Sequence, residues 1–180
     1  MPDLTIRAAC GDDIPAITAI YDEAVRTGTA SFELVPPNET EMHRRFETLV
    51  EGGYPYLVCH GEIDGAARLL GYAYAGAYRP RPAYRTTVEN SVYVAAEARR
   101  MGVGRQLLTR LIEEATARDF RQMVAVIGDS ANVASIELHR SLGFSMVGTL
   151  KNVGRKFDRW LDTVDMQRPL GEGAQTSPRG

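Results

Sequence analysis

Residues 90–112, NSVYVAAEARRMGVGRQLLTRLI, decide the fold. A run of β-formers gives way to two arginines, then to glycines, then to apolar positions at helical spacing. The segment TTVENSVYVA, residues 86–95, predicts a strand. GVGRQLLTRLIEEATARD, residues 102–119, predicts a helix with Val103, Leu107, Leu111 and Ala115 inward and Arg110, Glu113 and Glu114 outward. Between them stand Arg99, Arg100, Met101, Gly102, Val103, Gly104 and Arg105. The first N–H groups of a helix lack internal partners and attract anions. Glycines let a phosphate approach the backbone, and arginines add bidentate bonds to its oxygens. The stretch suits a pyrophosphate; the plain alternative is a helix start flanked by solvated arginines. Gly-Lys-Ser/Thr is absent, and Leu107 stands where a dinucleotide fingerprint needs its third glycine, so neither nucleotide-loop motif applies.

Working outward, the pattern alternates strands and helices. LTIRAA (4–9) opens as a strand, and GDDIPAITAIYDEAVRTG (11–28) follows as a helix that Asp12 or Asp13 can cap and Gly28 stops. TASFELVPP (29–37) is a loop presenting Phe32 and Glu33, and NETEMHRRFETLVEGG (38–53) is a second helix. YPYLVCHG (54–61) and RLLGYAYAGAY (68–78) are strands, whereas the prolines of RPRPAYR (79–85) forbid regular structure. RQMVAVIG (121–128) is a buried strand, and SANVASIELHRSLGF (130–144) is a helix capped by Ser130 or Asn132 and ended at Gly143. SMVGTLKNVG (145–154) and KFDRWLDTVDMQR (156–168) close as paired strands. The tail GEGAQTSPRG (171–180) has nothing apolar to bury and is expected to be disordered, leaving a single domain over 1–170.

Composition bounds the function. The chain has 180 residues, is 44% hydrophobic and 24% charged, and carries a formal net charge of −2. That length buries a core without staples, and the charge disfavours a general nucleic-acid or membrane-surface binder. Two cysteines without metal or disulfide spacing, no signal-like N-terminus and no long apolar run lead to the expectation of a cytoplasmic protein without a metal.

The arginine–glycine loop resembles the Arg/Gln-x-x-Gly-x-Gly/Ala signature of the GNAT N-acetyltransferase superfamily. NVASIELHRSLGF, residues 132–144, is similar to that superfamily's Asn-x-x-Ala segment ending in Gly-Phe. TVENSVYV, VAVIG and GRKFDRWLD narrow the resemblance to the phosphinothricin and methionine-sulfoximine acetyltransferase branch. The resemblance implies a mixed α/β fold, with a twisted, mostly antiparallel sheet of six to seven strands and about four helices. It implies acetyl-CoA as co-substrate, a small-molecule amine as acceptor, and a homodimer. By position, Val92, Tyr93 and Val94 are expected to meet the pantetheine arm, residues 100–105 with Arg99 the pyrophosphate, and Asn132 and Ser135 the thiol end. Asn132 has a helix-cap reading as well.

Acetylating an amine requires removal of a proton from nitrogen. Glu89, a glutamate among apolar and hydroxyl strand residues, is the candidate base; an ion pair with Arg85 is the alternative. His139 stands where many of the superfamily carry a tyrosine, and is either the acid for a leaving thiolate or a polar helix residue; Tyr93 is a weaker acid candidate. Arg79, Arg81 and Arg85 suit the carboxylate, phosphinate or sulfone oxygens of an amino-acid substrate, a solvated loop being the plain alternative, with Phe32, Glu33, Lys156 and Trp160 as further walls. Two other functions fit the same residues: acetyl transfer to another small amine or protein N-terminus, and non-catalytic acyl-CoA sensing.

Overall fold

The computed structural model describes residues 4–178. Seven strands form one sheet: β1 (Thr5–Ala8), β2 (Tyr56–Ile63), β3 (Ala66–Ala77), β4 (Thr87–Val94), β5 (Gln122–Gly128), β6 (Ser145–Lys156) and β7 (Arg159–Pro169). The helices are α1 (Ile14–Thr27), α2 (Glu39–Glu51), α3 (Val103–Ala117) and α4 (Val133–Ser141). Strand order is β1-β2-β3-β4-β5-β7-β6, antiparallel throughout except where β4 runs parallel to β5. The mixed α/β sheet matches the expectation.

Side chains alternate across a strand, so the register assigns each β4 residue a face. Glu89, Ser91 and Tyr93 share one face with their β3 partners Gly76, Tyr74 and Tyr72. Val88, Asn90, Val92 and Val94 point the other way. α1 and α2 cover the first face: Tyr21 meets Tyr93 edge-on, and Leu49 lies beside Gly76. α3 and α4 cover the second, where a Cβ on Gly104 would touch both Val94 and Leu138.

Periodicity explains why the helices dock this way. Ile14, Ile17, Ile20, Tyr21 and Val25 are the buried stripe of α1, and Leu107, Leu108, Leu111, Ile112 and Ala115 that of α3. Each large side chain so buried contributes about 1.5–3 kcal/mol. Asn38 caps α2 through Glu41 N, and Asn132 caps α4 through Ser135 N. Asp13 precedes α1 without a side-chain cap. Its oxygens instead accept from Arg7 Nη1 and Nη2, both at 2.7 Å, and from Cys10 N. Burial alone would raise this carboxyl, but those bonds outweigh it and hold the pKa down to about 2.

Several features differ from the reading of the sequence: β2 and β3 run to Ile63 and from Ala66, and Pro82–Tyr84 forms a short 3₁₀ turn, with Pro82 at its start, in the loop expected to hold no regular structure. The last hairpin turns at Phe157 and Asp158, both at positive φ, so Lys156 ends β6 rather than opening β7. Residues 171–178, expected to be disordered, form turns instead: Arg121 donates to Gly173 O, Thr176 Oγ1 and Ser177 O. Their anchor is a distant guanidinium rather than apolar burial; Arg179 and Gly180 lie outside the described residues.

Candidate active site

β4 and β5 pair only from Thr87↔Gln122 to Glu89↔Val124. Beyond that point β4 stays bonded to β3 and β5 to β7, while the two strands part from each other. The parting opens a cleft of about 1080 Å³ through the sheet, reached from both faces. An extended ligand lying there finds strand edges with free N–H and C=O groups.

The α3–α4 face supplies the anion-binding mouth. Arg99, Arg100, Gly102, Val103, Gly104 and Arg105 line it, as do Val92, Val94, Asn132 and Ser135; Tyr93 lines the cleft from the opposite face, against Tyr21. Gly102 sits at φ +85°, a conformation costly for any residue with a Cβ, and it precedes the unpaired N–H groups of α3. Arg99 and Arg100 are exposed, whereas Arg105 donates to Ser141 Oγ at 3.0 Å. Met101 is the exception among the expected residues; it packs partly buried against the core and does not line the cleft. A backbone cradle with free guanidinium groups beside it fits the pyrophosphate of acetyl-CoA.

Glu89 approaches from the opposite face. Burial raises its pKa, and the charge of Asp165 on β7 pushes the same way. That pair of causes suits a proton acceptor working near neutral pH. Tyr21, Ser31, Phe32, Glu33, Ser91 and Thr163 complete this side of the cleft. The Tyr21 hydroxyl donates to Glu33 Oε1 at 3.1 Å, and Arg45 Nη1 donates to the same oxygen at 2.6 Å.

Loop 28–38 is pinned onto the strands. The Phe32 ring lies so close to Gly128 and Gly154 that a Cβ on either would sit 2.5 or 2.4 Å from it. Lys156, 4% exposed, donates from Nζ to Ser31 O at 2.9 Å. Lys156 therefore holds the loop rather than lining the cleft. Arg79, Arg81 and Arg85 are exposed and do not line it either; the Arg79 guanidinium rests over Tyr78 and Tyr84, 5.1 and 5.9 Å from the ring centres. Trp160 is 63% exposed. Solvent screens the charge of these exposed arginines.

His139 lies on the α4 side, 4% exposed, with Nε2 3.0 Å from Asn90 Oδ1 and Nδ1 2.8 Å from Ser135 O. Burial lowers its pKa, and the bond to Ser135 works against that. Burial raises Tyr93 well above an ordinary phenol, which makes it a poor proton donor. Sequence reasoning missed Tyr21, Ser31, Asn90, Ser91, Leu138 and Thr163. For Asn90 a signal existed: a polar residue adjoining Glu89 in a strand must face the other layer.

Comparison with known proteins places this geometry. The acetyltransferase (GNAT) domain pattern matches residues 6–164. Phosphinothricin N-acetyltransferase of Alcaligenes faecalis is 56% identical over 174 residues, 97% of this chain and 86% of that protein. The L-methionine sulfoximine/L-methionine sulfone acetyltransferase of Pseudomonas aeruginosa is 46% identical over 166 residues, covering 92% and 94%. A crystal structure of a phosphinothricin acetyltransferase from Sinorhizobium meliloti in complex with acetyl-CoA superposes with a TM-score of 0.91 at 50% identity, over 98% of this chain and 93% of that one. The likeness to these relatives runs across nearly the whole length, and the chain belongs to the GNAT acetyltransferase family.

Proposed function

We propose that this enzyme transfers the acetyl group of acetyl-CoA to the α-amine of a small amino-acid-like substrate of the phosphinothricin, methionine sulfoximine or methionine sulfone type. The amine attacks directly in a ternary complex. The carrying observation is the cleft itself, whose anion-receptive mouth and Glu89 lie on opposite faces of one opening in the sheet. Relatives named for these substrates cover 92–97% of the chain.

Bound acetyl-CoA supplies an activated acetyl thioester. The chain's residues do the rest. Arg99, Arg100 and the α3 entrance hold the pyrophosphate, and the open edge of β4 from Val92 to Val94 orients the pantetheine arm. Glu89 takes the amine proton, directly or through water. A backbone N–H near Val94 meets the developing oxyanion. His139 gives a proton to the departing sulfur, whose conjugate acid has a pKa of about 8.5. Phe32 and Glu33 form the far wall of the amine site.

Residues 1–170 act as one catalytic domain. Val147, Leu150, Val153, Phe157 and Trp160 are all more than half exposed on the β6–β7 hairpin, an apolar surface that supports a homodimer. Cys10 and Cys59 are free thiols, in keeping with the cytoplasm.

The test is release of CoASH with a panel of L-amino acids and their phosphinate, sulfoximine and sulfone analogues, followed by mass analysis of the N-acetyl product. Preference for the analogues is expected. Activity only with simple amines or peptide N-termini would move the substrate class. Binding of acetyl-CoA without release in the presence of any amine would favour the sensor reading.

A further inference from the structure

Asn90 is 6% exposed and stands one residue beyond the last β4–β5 pair. Its Nδ2 donates to Val124 O at 3.3 Å, bridging the strands where they part. That bond orients the amide, so Oδ1 is the atom presented to His139 Nε2, at 3.0 Å. The other ring nitrogen faces the carbonyl of Ser135 at 2.8 Å. The imidazole is therefore clamped between two acceptors.

A neutral ring cannot satisfy both. With the proton on Nδ1, the Nε2 lone pair faces Asn90 Oδ1. With the proton on Nε2, the Nδ1 lone pair faces Ser135 O, and the Ser135 hydroxyl at 3.4 Å is a distant substitute. Turning the Asn90 amide would let it donate to Nε2 but would set Oδ1 against Val124 O. Only the imidazolium donates in both directions.

We propose that Asn90 is a positioning residue for His139: its amide, locked by β5, fixes Nε2 at the gap and favours the doubly protonated ring. This rests on the acetyl-transfer reading of the cleft. Charged groups around the ring are engaged elsewhere. Glu137 and Arg140 of α4 pair with each other, Arg105 of α3 donates to Ser141, and Arg168 of β7 donates to Leu142 O. Glu89 faces the other side of the sheet, and Phe144 meets the ring edge-on at 5.0 Å. Burial resists the charge that the two acceptors favour, so the proton is held but transferable. In the transfer the Nε2–H bond breaks and an S–H bond forms on the thiolate, while the other proton stays on Nδ1, donated to Ser135 O. The freed lone pair then faces Asn90 Oδ1, which draws a replacement proton from solvent in the cleft.

The experiment follows imidazole nitrogens by NMR across pH in wild type, Asn90→Leu and Asn90→Asp. The chain has three histidines, and His139→Phe assigns the signal. Asn90→Leu removes the acceptor, so the His139 midpoint should fall; Asn90→Asp strengthens it, so the midpoint should rise. Turnover of Asn90→Leu should drop about tenfold, with acetyl-CoA affinity within about threefold of wild type. Both substitutions lose the donor to Val124, so a purely structural role would move the two midpoints the same way, and that result, or no movement, overturns the proposal. If the variants do not fold, wild type decides: Nδ1–H must persist after the other proton is lost, and a neutral ring protonated on Nε2 would be fatal. Failure of the acetyl-transfer reading would show separately, as absence of CoASH release by wild type.

Discussion

Glu89→Gln tests the chemistry most directly, because it removes a proton acceptor while leaving the shape of the cleft. The backbone of residue 89 is bonded into the sheet opposite Gly76 and Val124, and glutamine keeps those partners. The substitution also relieves a conflict: the carboxylate is half-buried and lies in the field of Asp165. General-base catalysis contributes roughly 10²–10⁴-fold, so turnover near neutral pH should fall by about that factor, while acetyl-CoA affinity is preserved. Below the amine's own pKa, each unit of pH raises the free amine about tenfold, so alkaline buffer should restore part of the loss.

Stability gives the same substitution a second readout. The folded state holds the Glu89 proton more tightly than the unfolded chain does. Its contribution therefore favours folding below the unfolded pKa and becomes a penalty as pH rises through the higher folded one. Glutamine carries no such dependence, so the Tm of Glu89→Gln relative to wild type should climb as pH rises above about 4.3, the unfolded glutamate's pKa, and level off once the folded carboxyl has ionised. The assay is a pH profile of CoASH release for both proteins, with acetyl-CoA binding and melting measured alongside. Wild-type rate and profile in the variant would refute the base assignment, and loss of acetyl-CoA binding together with activity would make the residue structural.

Arg100→Ala should lower acetyl-CoA affinity roughly ten- to a hundredfold, the worth of one charge-assisted bond of about 1.5–3 kcal/mol, and calorimetry or the ligand-induced rise in Tm reads it. Lys156→Met removes the donor to Ser31 O while keeping the apolar stem, so KM for the amine should rise about three- to tenfold with acetyl-CoA affinity unchanged. An unchanged KM would mean that Phe32 alone fixes the loop. Arg79→Ala should alter KM for amino-acid substrates by less than about threefold, because the guanidinium lies over two tyrosine rings outside the cleft. A larger loss confined to substrates bearing a carboxylate would return Arg79 to the site.

The fold was largely legible because its signals are local. The run of β-formers in residues 86–95 and the apolar stripe of residues 102–119 each name their own element. The anion mouth was equally legible, since it lies on one continuous stretch with a glycine that φ +85° requires. The substrate side was not, because it is assembled from distant segments. Phe32 reaches it by lying on Gly128 and Gly154, and Lys156 contributes through the backbone of Ser31; neither relation has a spacing in the sequence. Arg79, Arg81 and Arg85 misled for the same reason. Nearness along the chain to Glu89 does not bring a side chain to its face, and all three arginines lie exposed outside the cleft.

On the proposed roles of Glu89 and His139, the alternation of a strand would also let one site keep an acid and a base. Glu89 and Asn90 are neighbours, yet they face opposite layers, and His139 is held on the Asn90 side. Burial acts on both ionisable groups, raising the glutamate and lowering the histidine. The first shift brings the glutamate toward the pH range in which it can accept a proton, whereas the second opposes the imidazolium charge that Asn90 Oδ1 and Ser135 O favour. On one face, within ion-pair distance, a carboxylate and an imidazolium would stabilise each other's charge and widen the gap between their pKa values. With a sheet between them, neither neutralises the other. In the proposed reaction, the opening where β4 leaves β5 would let an amine on one side and a thioester sulfur on the other reach their own partner, so the geometry that parts the strands would also keep the acid from quenching the base.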